Sequence, residues 1–102
     1  MGHEDIKIVI EIKNYIDLHG GDYTNWFVGR AQDPWERLAE HGIDPDLDHY
    51  IFLPAPCLDD AKGIEHYFVT RLGTDGHASG NGDENGHGLH VYAFKKNLLT
   101  RP

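Results

Sequence analysis

An α/β domain, a small three-stranded sheet flanked by helices, is what this sequence predicts, on three observations. Two long segments place apolar residues three or four apart, the period of a helix with one buried face. Three short runs rich in β-branched and aromatic residues, Trp26–Gly29, His49–Leu53 and Leu89–Lys95, read as strands. Between the first two strands lies a short helix whose start and stop signals are both written in the chain. Elements that alternate in this way fold most simply as a sheet packed between helices.

The first helix runs from Glu4 to about Leu18, with Ile6, Val9, Ile10, Ile12, Tyr15 and Ile16 as its apolar positions. Ile6, Ile8, Ile10 and Ile12 also alternate, so a strand is the competing reading. Leu18-His19-Gly20-Gly21 favours the helix, because a glycine pair after the last periodic residue is a helix stop. Trp26–Gly29 follows as a short buried strand. Asp33 then serves as N-cap, Pro34 suits the first helical position, and Glu36 completes a capping box. The helix Pro34–His41 ends at Gly42; Trp35, Leu38 and Ala39 form its buried face, and Arg37 and His41 share another.

Ile43–Asp48 is a polar turn, and the second strand His49–Leu53 stops at Pro54-Ala55-Pro56. Asp59 or Asp60 caps a helix to about Leu72, closed by Gly73, with Leu58, Ala61, Ile64, Phe68 and Leu72 as its stripe. Glu65, four after Ala61 and three before Phe68, borders that stripe rather than facing open solvent. A glycine-rich loop, 73–88, precedes the last strand, Leu89–Lys95, which is largely apolar on both faces. The whole chain of 102 residues makes one domain with one modest core.

Composition narrows the function. With 39% hydrophobic and 25% charged residues the chain is globular rather than disordered. No run approaches the roughly 20 apolar residues of a membrane span, and Ile6–Leu18 is too interrupted for a signal segment. The lone Cys57 excludes an internal disulfide, fits a reducing cytoplasm, and reads as a buried thiol. Seventeen acidic side chains against 9 basic ones give a net charge of -8. That balance weighs against strong duplex binding, which draws on Lys and Arg to neutralise phosphates.

Asp75, His77, Asp83, Glu84, His87 and His90 crowd the glycine-rich segment. Asn81–Gly86 matches the first half of a calcium loop, but Tyr92 stands where the bidentate glutamate would be. Asp83, His87 and His90 could hold zinc or nickel, although no standard spaced set is present. A wet, glycine-turned loop is the default expectation.

One stretch carries a resemblance. Phe27-Val28-Gly29 followed by Arg37-Leu38 resembles the second half-motif and catalytic arginine of GIY-YIG nuclease domains, over about Trp26 to Leu72. Tyrosine normally opens that triplet; here Phe27 does. The resemblance implies that Arg37 stabilises charge on a phosphate and that Glu65 binds a single Mg²⁺ or Mn²⁺ ion. Tyr15, Tyr23, His41 or a metal-bound water is then the base. The first half-motif has no clear counterpart, Tyr15 being its nearest candidate, and the family's late asparagine falls near His77 or at Asn81. Two functions are expected from this pattern: a metal-dependent phosphodiesterase acting on nucleic acid, or a catalytically inactive binding module of the same form.

Overall fold

The computed structural model describes residues 2–76 and 89–102. Its elements are α1 (His3–Leu18), β1 (Trp26–Ala31), α2 (Pro34–Glu40), β2 (Tyr50–Pro54), α3 (Leu58–Tyr67), β3 (Asp75–Gly76) and β4 (His90–Lys95). A 3₁₀ turn, Tyr23–Asn25, leads into β1, and a π-helical turn, Phe68–Leu72, extends α3. The helix reading of the first segment holds for a plain reason. Ile8, Val9, Ile12 and Ile16 are buried at helical spacing, while Ile6 and Ile10 are about half exposed.

The sheet has four members rather than three, in the order β2-β4-β1-β3. The addition is the two-residue β3, which pairs parallel to β1 at Phe27↔Asp75 and Val28↔Gly76. β4, last in the chain, lies antiparallel between β1 and β2, in register from Trp26↔Lys95 to Ala31↔His90. β2 is an outer strand whose edge is blunted: the Tyr15 hydroxyl accepts from Tyr50 N at 3.1 Å, and Pro54 offers no N–H.

Alternation along β1 and β4 divides the core in two. Trp26, Val28, Val91 and Ala93 face α1 and α3, where Ile12, Ile16, Ile64 and Phe68 complete one cluster. Phe27, Ala31, Tyr92 and Phe94 face the other side and pack with Leu38 of α2 and Ile43. Three layers result, with β1 buried along its whole length.

Three expectations need correction. Trp35 is 53% exposed, because α2 has only seven residues and buries only Pro34 and Leu38; Ala39 is exposed as well. Trp35 instead rests edge-on against Phe52, with ring centroids 5.1 Å apart. Cys57 is exposed, not buried. It takes the N-cap position of α3, two residues before the aspartate expected there, so Asp59 and Asp60 fall in the first turn where the helix dipole favours them. Its thiol donates to Asp60 Oδ2 at 3.3 Å.

Asp5, 4% exposed, accepts from Gly2 N at 3.3 Å and hydrogen-bonds the Asp60 side chain. Burial first, then Asp60, raises its pKa above the ordinary 3.8. The folded protein therefore keeps this proton after the unfolded chain has lost it. Stability is full below about pH 3.8 and falls as pH climbs through the raised folded value. Asp5→Asn, which keeps both contacts without charge, should raise the melting temperature at neutral pH. By calorimetry the gain should vanish near pH 3.

Candidate functional site

The site grows out of the junction between β1 and α2. Asp33 Oδ1 accepts from Glu36 N at 3.1 Å and Pro34 occupies the first turn, so the chain leaves β1 and turns at once into helix. Arg37 and the C-cap residue His41, one turn apart, are thereby held on the α2 side of the sheet. Directly across the strand pair from Gly29 stands Tyr92. Its ring lies over Gly29: a Cβ there would come within 2.5 Å of the Tyr92 hydroxyl and 2.6 Å of Cζ. Glycine is required at this position by the ring above it.

The Tyr92 hydroxyl is fixed by His41. His41 Nε2 lies 2.8 Å away, and His41 Nδ1 lies 2.6 Å from the Arg101 carbonyl. A carbonyl only accepts, so Nδ1 carries the proton, and in the neutral ring Nε2 accepts from the Tyr92 O–H. The Arg37 side chain lies near this oxygen, close enough for its charge to act on the phenol. A relay therefore runs from Tyr92 through His41 to the C-terminal tail, with Arg37 near its outer end. Burial pushes the Tyr92 phenol well above its ordinary value; the Arg37 cation opposes this and the Glu65 charge adds to it. Such a phenol keeps its proton at neutral pH.

Beneath Gly29, on the α1–α3 side, Arg30 and Glu65 form an ion pair through Nη1 and Oε1. Both side chains are 1% exposed. Glu65 thus enters from the α3 face and Arg37 from the α2 face of the same sheet. Both charges act through space on the Tyr92 phenol, Arg37 lowering and Glu65 raising its pKa. Arg37 is itself 28% exposed and pairs with Glu40 at 3.4 Å. It lines a cleft of about 140 Å³ with Ala31, Asp33, Glu36 and Glu40, so carboxylates outnumber the single guanidinium.

Of the residues singled out from sequence, the structure brings together Arg37 and His41, with Glu65 behind the sheet. Tyr15 and Tyr23 lie elsewhere, packed against the α1–α3 cluster. Burial raises the Tyr15 pKa. Tyr23 donates to Asp17 Oδ1 at 3.0 Å, and burial with that carboxylate pushes it up to about 12. Neither phenol is poised as a base beside Arg37. His77, Asn81, Asp83, Glu84 and His87 lie outside the described residues; His90 stands on β4 against Phe52, 5.8 Å between rings. Among the described residues no three His, Cys, Asp or Glu side chains converge as a metal would need. Again among the described residues, no helix is long and apolar enough to cross a membrane.

Two members of the site were missed in the sequence. Tyr92 sat in an apolar alternation with no sign of its partner. Arg30 gave one signal, an arginine set between the apolar run and Ala31, which should have extended the buried strand past Gly29.

Two stability measurements check this geometry. Gly29→Ala should cost about 1–3 kcal/mol in chemical denaturation, since the added methyl overlaps the Tyr92 ring. Arg30→Leu or Glu65→Leu alone should cost about 3–5 kcal/mol by stranding a buried charge, and the double substitution should recover most of that loss. A double variant as unstable as the two singles added together would contradict the pairing. Compared with family models, curated proteins and solved structures, the chain matches none of them.

Proposed function

We propose that this chain is a binding module of GIY-YIG-like form that does not cleave phosphodiesters. One observation supports it above the rest: Glu65, the carboxylate the resemblance assigns to a divalent metal, is engaged by Arg30 in the core. A hard cation needs open carboxylate oxygens and retains several waters. At Glu65 it would have to enter a site 1% exposed and displace a guanidinium whose charge repels it. The residues present do not fit the metal.

Further support comes from the phenols. Phe27 stands where the half-motif has tyrosine, and its ring stacks on Phe94 at 5.1 Å as ordinary core. Tyr92 is close to Arg37 but is held protonated by burial. The Arg37 cleft carries three carboxylates, an unfavourable lining for a phosphodiester. The module nonetheless keeps a partly exposed arginine at its surface, paired with Glu40.

The test is a titration of isotope-labelled protein with millimolar Mg²⁺, then Mn²⁺, read at Glu65 and Arg30 by NMR, alongside a nicking assay on supercoiled DNA. The expected result is no metal-dependent change centred on Glu65 and no nicking. Shifts centred on Glu65, with nicking that is lost in Glu65→Gln and Arg37→Ala, would establish the phosphodiesterase instead.

A further inference from the structure

Glycine inside a helix is less stable than alanine, so one placed there points to a close approach by another group. Gly63 lies in the interior of α3 and is exposed. A Cβ added to it would meet nothing within 4 Å, so no group of this chain needs the space. Its neighbours on the same side of α3 follow at four-residue steps. Asp59 stands one turn before it, Tyr67 one turn after, and Arg71 in the π-helical turn beyond. The outer side of the helix therefore reads, in order, anion, notch, aromatic knob, cation.

Beside this ridge runs an apolar groove. α1 and α3 lie parallel: Asp5 and Asp60 stand together near their starts, and Tyr67 at the end of α3 meets residues further along α1. Ile6, Val9, Ile10, Lys13 and Tyr67 line an open cleft of about 360 Å³. Ile6 and Ile10, one turn apart, are 47% and 50% exposed. α1 already buries Ile8, Val9, Ile12 and Ile16, so Ile6 and Ile10 form a second apolar edge turned away from the sheet.

The ridge is complementary to itself when turned about a two-fold axis that reverses the helix direction. Asp59 then meets the partner's Arg71, Gly63 receives the partner's Tyr67, and each contact occurs twice. On α1 the same rotation sets Ile6 against the partner's Ile10. The dipoles of α1 and α3, which run the same way, become opposed across the interface. Among the described residues neither Asp59 nor Arg71 has an ion-pair partner, so both charges are open to this use. An anionic bilayer is a poor occupant, because Asp59 and the exposed Glu4 and Glu11 of α1 would face it. An unrelated helix would use the apolar groove without needing this order of charge, notch and knob.

We infer that the α1–α3 face joins two copies of this chain in a symmetric dimer. The face lies across the sheet from the Arg37 cleft and does not depend on the reading of that cleft. α1 has 16 residues and is about 24 Å long, and two helices side by side are about 20 Å wide. Such a face buries on the order of 1,000 Å² over both copies, the low end for specific association, which places the dimer in the micromolar range.

The experiment is sedimentation equilibrium of the full chain from about 10 µM to about 1 mM, with thermal melting of each variant as a control. A reversible monomer–dimer equilibrium is expected. Ile10→Glu should leave the monomer folded and weaken the dimer by more than about tenfold. Gly63→Ala should raise the melting temperature of the dilute monomer yet weaken association about three- to tenfold, an opposition that a merely structural glycine would not produce. Asp59→Arg should weaken the dimer about five- to tenfold, and adding Arg71→Asp should restore it. A chain that stays monomeric at the highest concentration overturns the dimer and leaves the face to a different protein. An association that Ile10→Glu and Gly63→Ala both leave unchanged, or that the paired charge exchange does not restore, overturns it as well.

Discussion

The pair between Arg30 and Glu65 is the constraint on which the arrangement turns. β1 is buried at every position and flanked by β4 and β3, so a charged side chain in it must find an opposite charge nearby. Glu65 on α3, 35 residues away in the chain, supplies that charge. Breaking the pair costs about 3–5 kcal/mol, against a total stability of about 5–15 kcal/mol for a domain of this kind. A contact of that size fixes α3 against β1 in one rotation.

A second constraint fixes the opposite face. Gly29 admits the Tyr92 ring, Tyr92 receives His41, and His41 fastens the tail, since Arg101 N also donates to the His41 carbonyl at 2.7 Å. Because Tyr92 stands on β4 and His41 at the end of α2, one hydroxyl ties the seat of α2 to β4. The two constraints sit back to back on consecutive residues, Gly29 and Arg30. The constraints on the two sides of the sheet therefore start from two neighbouring residues of β1.

This explains how far the sequence could be read. Elements governed by local physics were legible: the 3.6-residue period of Ile8, Val9, Ile12 and Ile16, and the Asp33-Pro34-Glu36 start of α2. Glu65 was legible as a residue at the border of a buried stripe. What depended on long-range pairing was not. Nothing local to Tyr92 states that its partner is Gly29, because strand register is decided by which faces meet. Arg30 is not legible as strand because Gly29 reads as the end of one, and an arginine rarely continues it. Trp35 reads as core from its hydrophobicity, although a seven-residue helix has too narrow a face to bury it with Pro34 and Leu38.

The same back-to-back arrangement bears on what the resemblance means. A phosphodiesterase of this pattern needs its arginine and its metal-binding carboxylate to face one phosphate. Here the sheet itself lies between them, Arg37 with α2 on one face and Glu65 with α3 on the other. Bringing the two onto a common ligand would require Glu65 to leave Arg30, stranding a buried guanidinium, and to pass the Tyr92 ring that occupies the space over Gly29. A carboxylate in contact with Arg30 rather than with water has been given to the stability of the core. Arg37, still partly exposed and paired with Glu40, is the one residue of the resemblance left at the surface, which is where the proposed binding module would use it.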